Sequence, residues 1–489
     1  MDEPINSEFP PGLKNKHEVL YMELKRKYFY LVSNTKLKKG RLRTFIATLT
    51  QLIEWEAIKD NIYEDSAHID AFREALDRSE KIMFQTDLDS KLEEIRRIWQ
   101  TEHKKKVIET QGLGIYENKY NTNTKKFYGE TDKGPTVISL FSGAMGLDLG
   151  FIESGYRILV ANDIDKVCLY TASKNIPEVK FINEDINKIS IDFLMKEAGI
   201  APGEVDLLIG GPPCQPFSPA GKRAGLNDPR ASPLIYFIRA ISGLRPRAFV
   251  MEEVPGILSS RIKHFPYYDK YKRDPSPEER RGSAFKVVMD MLHSTGYNIA
   301  YRVLNAADYG APQIRERVIF IGLRDRMPSF PKPTHSGYGK RDLQPWNTLW
   351  EAVRDLRHTH DLSLSQKNKQ YMGFIPPGGN WVDLPDIVAR EAMGGAYNSE
   401  GGRMGFFRRL AWDEPSPTLV TSPIQKGTYL IHPELDRPLS IAEYKRLQGF
   451  PDDWVIAGNI SDQYRLIGNA VPLYLSKAIA KHIKNLLDG

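Results

Sequence analysis

From Thr136 onward the chain alternates between short runs of β-branched and leucine residues and longer stretches whose apolar positions recur every three or four residues. TVISLF (136–141), RILVAND (157–163), KFIN (180–183), VDLLIG (205–210), RAFVME (247–252), YRVLN (301–305) and RVIFIGL (317–323) predict strands. GLDLGFIESGY (146–156), KVCLYTASKN (166–175), SPLIYFIRAISGL (232–244) and AFKVVMDMLHSTG (284–296) predict the helices between them. Repeated strand–helix units of this kind specify an α/β fold with a doubly wound, mostly parallel sheet, here over residues 136–326. Residues 1–110 carry helical spacing throughout and read as an N-terminal helical region, and the polar, Gly- and Asn-broken stretch 111–135 reads as a linker. Residues 327–432 lose any period and become rich in Pro, Gly and Trp, which marks a smaller irregular domain. Residues 433–489 return to helix.

Composition narrows the class. Two cysteines in 489 residues exclude a disulfide framework and a cysteine-based zinc site, so a reducing compartment and no metal are expected. No run of 18 apolar residues occurs, and the acidic, proline-rich N-terminus is unlike a signal peptide, so the expected location is the cytoplasm. A formal charge of +6 permits a polyanionic partner without requiring one.

The chemistry collects at predicted strand ends, where open α/β sheets hold ligands. After VDLLIG comes GGPPCQPFS, in which two prolines fix the backbone before Cys214, so the thiol is presented rather than packed. TVISLFSGAMGLDLGF ends its strand in a glycine turn, and the next two strands end in Asp163 and Asp165 and in Glu184-Asp185-Ile186. Acids about 20 positions after a glycine turn suit a ribose hydroxyl pair, which points to an adenosine-containing ligand. The order is not GxGxxG and there is no P-loop lysine, so neither NAD nor a nucleoside triphosphate is expected. Glu252 ends another strand, and an acid near a thiol suits thiolate addition to a ring whose nitrogen gains charge. Gln313, Arg315 and Arg317 follow in DYGAPQIRERVIFIG, with both arginines on one face by alternation.

In this order, FSGAMGLDLGF, ANDID, NEDI, GGPPCQPFS, MEEVPG, YGAPQIRER, RPLSIAEYKRLQGFP and YRLIGNAVP resemble the motif set of the cytosine-C5 DNA methyltransferases, from Thr136 to Ile483. The resemblance implies a class I S-adenosylmethionine-dependent methyltransferase fold, with residues 433–489 rejoining the catalytic domain. It implies Cys214 as nucleophile, Glu252 as the acid on the base ring, and Arg315 and Arg317 holding the flipped nucleotide. S-adenosylmethionine would lie on Phe141, Gly143, Gly146, Asp163 (ribose), Ile164 (adenine), Asp185 and Ile186, closed by Asn469 and Val471. Ser218, Lys222, Arg223, Gln313 and Thr418 would touch DNA, and 327–432 would be the target recognition domain, with Arg408, Arg409 and PSPTLVTSP near its end. The implied activity is methylation of cytosine C5 within a specific double-stranded sequence by a monomer, partnered by a cognate restriction endonuclease in a restriction–modification system. A transfer-RNA cytosine methyltransferase and a catalytically weak DNA-binding homologue are the alternatives. The chain departs from the family pattern in Glu253, where an asparagine is usual, in Met145 at a glycine position, in the late Leu234, and in a basic, aromatic insertion over 261–282.

Overall fold

The computed structural model describes residues 134–213, 232–263, 265, 273–337, 342–356, 361–398, 404–425 and 427–488. The N-terminal helical region, nearly all of the linker, and Cys214, Ser218, Lys222 and Arg223 lie outside the described residues.

Seven strands form one sheet: β1 (Thr136–Leu140), β2 (Arg157–Asn162), β3 (Lys180–Ile182), β4 (Leu207–Gly210), β5 (Ala248–Glu253), β6 (Asn298–Asn305) and β7 (Glu316–Leu323). Their order is β3-β2-β1-β4-β5-β7-β6. Every neighbouring pair from β3 to β5 is parallel, and β7 alone runs backwards between β5 and β6. Helices α1 (Gly146–Ile152), α2 (Lys166–Asn175), α3 (Ile191–Ala198), α4 (Ser232–Leu244) and α5 (Ser283–His293) alternate with the strands, as parallel neighbours require a crossover. The chain winds outward from β1 to β3 and then restarts at β4, so β1 and β4 flank the topological switch point.

Successive strand residues enter opposite faces, and the two apolar clusters sort accordingly. Val137, Leu207, Ile209, Val250, Ile319 and Ile321 belong to one. Ile138, Leu140, Leu208, Phe249, Met251, Val318 and Phe320 belong to the other. Both faces are covered, which is why these strands read as continuous apolar runs.

The block expected to be one irregular domain divides. It contains β8 (His335–Ser336), β9 (Gln344–Pro345), α6 (Leu349–Val353), α7 (Gln366–Met372) and α8 (Asp386–Met393). Tyr371–Asn398 falls in one compact unit, while the flanking parts fall with the sheet in another. The flanks are tied into the main core: Leu349, Val353, Leu410, Trp412 and Leu430 join its larger cluster. Leu349 and Trp350 donate their N–H groups to the carbonyls of Glu414 and Trp412, at 2.9 and 3.0 Å. Loss of period in the sequence therefore marked irregular backbone, not independence.

The last three helices are α9 (Ile441–Gln448), α10 (Ile460–Asn469) and α11 (Leu473–Asp488). Helix α11 lies on α1. A Cβ on Gly150 would collide with Ser476, whose hydroxyl donates to the Leu147 carbonyl, and the Tyr156 hydroxyl donates to Ala480 O at 3.1 Å. No described helix is long and apolar enough to cross a membrane.

Candidate active site

The loop after β1 turns through three left-handed residues, Phe141, Gly143 and Met145, with φ of 60°, 54° and 65°. Glycine accepts such a φ freely, whereas phenylalanine and methionine do not. Asp163, at the tip of β2, anchors the turn by accepting Gly143 N–H on one oxygen and Asp165 N–H on the other, each at 2.9 Å. Burial pushes its carboxyl above the usual range, and these two N–H bonds only partly oppose that shift. The side chain of Asn162 ties β2 to β3, donating to the carbonyls of Ile182 and Glu184 at 2.8 and 3.0 Å. Asp185 caps the next turn, accepting Asn187 N–H at 3.0 Å, and Ile186 is buried in the core.

This end of the sheet fits a nucleoside-like cofactor. A Cβ built on Gly143 meets nothing within 4 Å, so the turn borders open space. Close in sequence to Asp163, Ile164 stands 66 % exposed, an apolar surface at a strand tip. Arg465 on α10 closes the arrangement from behind, pairing with Asp165 at 2.7 Å.

Gly146 has a different place from the one expected. It is buried at the start of α1, where a Cβ would stand 2.6 Å from Val471 O and 3.0 Å from Ala470 Cβ. It serves the packing of α1 on the turn between α10 and α11. Val471 is buried in the same seam, and Asn469 is exposed.

The second cluster sits at the ends of β4, β5 and β7. Arg317 Nε and Glu252 Oε1 form an ion pair of 2.6 Å, with side chains only 11 % and 12 % exposed. The other carboxylate oxygen, Oε2, lies 2.9 Å from where a Cβ of Gly211 would be. A Cβ on Gly210 would stand 2.6 Å from Leu140 O and 2.9 Å from the Phe237 ring. The glycine pair thus has two separate causes: Gly210 lets β4 pack, and Gly211 leaves room for the acid. The strand-end chain continues through Pro212 and the exposed Pro213 toward Cys214, which is outside the described residues.

Two expected site residues belong to the frame instead. Arg315, 1 % exposed, donates to the carbonyls of Leu419 and Gly468 at 2.9 and 2.8 Å. Gln313, expected to touch DNA, is fully buried; its amide nitrogen donates to Gln448 Oε1, and its oxygen accepts Leu419 N–H, each at 2.9 Å. Gln448 passes the connection on to the carbonyls of Ile467 and Ala470, at 2.6 and 3.1 Å. Buried amides and guanidinia need hydrogen-bond partners, and here Leu419, Gln448 and Gly468 supply them. Thr418, half-buried, donates to Ile314 O at 2.8 Å. Arg408 is held by Tyr429 O at 3.1 Å, and Arg409 by Asp436 and His432 O.

Sequence reasoning missed Gly211, Gln448 and the buried Asp148. Asp148 had a signal, since an acid inside the apolar run LDLGF has to be buried once α1 packs on the sheet. Gln448 had none, because a glutamine in a helix is ordinarily exposed.

Residues 135–485 match the C-5 cytosine-specific DNA methylase family. The chain is also similar to the Type II methyltransferase M.Sau96I of Staphylococcus aureus, 35 % identical over 377 residues, covering 76 % of this chain and 81 % of that protein. It is 35 % identical to M.Eco47II of Escherichia coli over 359 residues, 72 % of this chain and 79 % of that protein. M.MthTI of Methanothermobacter thermautotrophicus is 35 % identical over 374 residues, 72 % and 98 % of the two chains.

Proposed function

The chain belongs to the C-5 cytosine-specific DNA methylase family, and we propose that it is a Type II modification enzyme that methylates one cytosine within a specific double-stranded sequence, with Cys214 as nucleophile. The observation that carries this reading is the Glu252–Arg317 pair at a strand end, its free oxygen over Gly211 in the turn that leads to Cys214.

C5 of cytosine is a weak nucleophile. Addition of the Cys214 thiolate to C6 moves the ring electrons to C5 and raises the electron density at N3, where Glu252, once protonated, donates a hydrogen bond. Arg317 fixes the rotamer of Glu252, so the acid reaches N3 without having to be ordered during the reaction. S-adenosylmethionine, when bound, supplies the methyl group as a sulfonium electrophile. Phe141, Gly143, Asp163, Ile164 and Asp185 would hold it, with Asn469 and Val471 closing the pocket. Transfer of the C5 proton to water and departure of the Cys214 thiolate with the C6–S bond electrons restore the aromatic ring. The target carbon is inaccessible in a stacked duplex, so the base is flipped out, at a cost of roughly a few kcal/mol. Ser218, Lys222, Arg223 and Thr418 are the proposed DNA contacts, and the recognition surface draws on residues 327–432. Arg315 and Gln313 act by holding the C-terminal segment against β7. A cognate endonuclease and action as a monomer belong to the same proposal.

Transfer of labelled methyl groups to duplex DNA, with RNA in a parallel reaction, tests the substrate class. Transfer to RNA alone would move the chain to the transfer-RNA reading. DNA carrying 5-fluorocytosine should trap an adduct with wild type and none with Cys214→Ser. Undiminished turnover by that variant would remove Cys214 from the mechanism.

A further inference from the structure

Strand β5 ends in two adjacent acids, and alternation sends them to opposite faces. Glu252 goes to Arg317. Glu253 goes the other way, at 1 % exposure, opposite Val318 in the ladder and behind Met251 and Phe249 on its own strand. Every one of those neighbours is apolar. One oxygen of Glu253 accepts the Val254 N–H at 3.2 Å, and the other is enclosed without a hydrogen-bond partner.

An ionised carboxylate so placed is strongly disfavoured unless a cation pairs with it, as for buried charges generally. None does. On its own strand the charged group that acts on Glu253 is Glu252, which repels; from β7 it is Arg317, already bonded to Glu252. Among the described residues no charged side chain from β4, from the turn Pro255–Ser259 or from α5 acts on it. Burial first, and the Glu252 charge second, push its carboxyl well above the ordinary glutamate value, against the smaller pull of the Val254 N–H and Arg317.

We propose that Glu253 is a positioning residue that works as a neutral carboxylic acid: holding its proton, it adds no second negative charge beside Glu252, and on ionising it sets a like charge one residue from that acid and loosens its pairing with Arg317. The inference rests on the assignment of Glu252 to the base ring, and it adds a second carboxyl whose contribution lies in being uncharged. Asparagine, usual in the family at this place, is also polar, uncharged and of similar shape, so the substitution keeps the charge balance as long as the proton stays.

Two measurements on the intact protein test this. In the infrared difference spectrum of wild type minus Glu253→Gln at neutral pH, the carbonyl stretch of a protonated carboxyl should appear as a wild-type band; its absence would overturn the proposal. In the pH–rate profile, Glu253→Gln should keep kcat within about threefold of wild type at neutral pH, with KM for DNA unchanged. Its activity should then persist at least one pH unit further into the alkaline range, about tenfold in proton affinity. Superimposed profiles, or a loss with Gln that does not vary with pH, would show that the charge state of Glu253 does not govern Glu252. Adduct formation with 5-fluorocytosine by wild type is read separately and decides only whether the underlying reaction is right.

Discussion

The two ends of the strand-tip crevice are built from different materials. At β1 to β3 the geometry is made by main chain: three left-handed residues, Gly143 N–H and Asp165 N–H both on Asp163, and the Asn162 side chain on two carbonyls. At β5 and β7 it is made by side chains, a single ion pair and the room left by an absent Cβ. A cradle built on left-handed backbone is most sensitive to a change in allowed φ and to loss of the Asp163 and Asn162 side chains that hold it. A site built on one nearly buried ion pair fails at once when either partner is lost, and the fold is weakened by the charge left behind.

Three substitutions test that contrast. Arg317→Ala should have the largest effect. It leaves Glu252 nearly buried without its cation, and kcat should fall by about two orders of magnitude or more, in line with the contribution of positioned acid–base groups. The affinity for S-adenosylmethionine should be unchanged; a parallel loss of cofactor binding would show that the two ends are not independent. Gly211→Ala comes next. The added methyl meets the far end of a flexible side chain, so Tm should move by no more than a few degrees, but Glu252 must rotate away. A fall in kcat of roughly ten- to a hundredfold is expected, since a displacement of this size costs about that much in a positioned reaction. Wild-type kcat in this variant would sink the explanation of the second glycine. Gly143→Ala is the reciprocal change. The methyl has space, but φ of 54° costs an alanine about 1–2 kcal/mol. The KM for S-adenosylmethionine should rise by about tenfold with kcat nearly intact, the equivalent of that strain expressed in binding.

Most of this contrast was legible in the sequence, because strand ends announce themselves. Period and turn residues located all seven strands, the acids at the tips of β2, β3 and β5, and Arg317. What sequence could not separate was a polar residue aimed at a ligand from one aimed at the chain's own carbonyls. Gln313, Arg315 and Arg317 recur at every second position, and their shared parity puts all three on one face. Only segments more than a hundred residues further on tie the first two to the chain's own frame, while the third pairs with Glu252. The same ambiguity affected Gly143 and Gly146: one borders open space, and the other is pressed against Val471. Likewise, irregular sequence over 327–432 did not reveal that its flanks belong to the main core, since their apolar residues follow no period.

The smallest effect concerns Asp148, a fully buried acid of the main-chain end. Asp148 lies inside α1 with no exposed surface, and neither carboxylate oxygen completes a hydrogen bond. Burial raises its carboxyl from 3.8 to about 6, although the nearby hydroxyls of Ser139 and Ser142 favour the ionised form. A carboxyl raised by folding stabilises the protein while it is protonated, and that contribution disappears as pH climbs from about 4 through 6. At pH 7 the ionised acid therefore forfeits up to about 3 kcal/mol relative to pH 4, since each tenfold change in proton affinity is worth roughly 1.4 kcal/mol. Asparagine cannot ionise and matches the shape. Asp148→Asn should melt no higher than wild type near pH 4.5 and gain on it steadily up to pH 7.5, by up to several degrees, with cofactor affinity unchanged at pH 7.5. A difference in Tm that is the same at every pH would show that Asp148 is not the group titrating. A fall in cofactor affinity would show that the cradle relies on a buried charge as well as on its backbone.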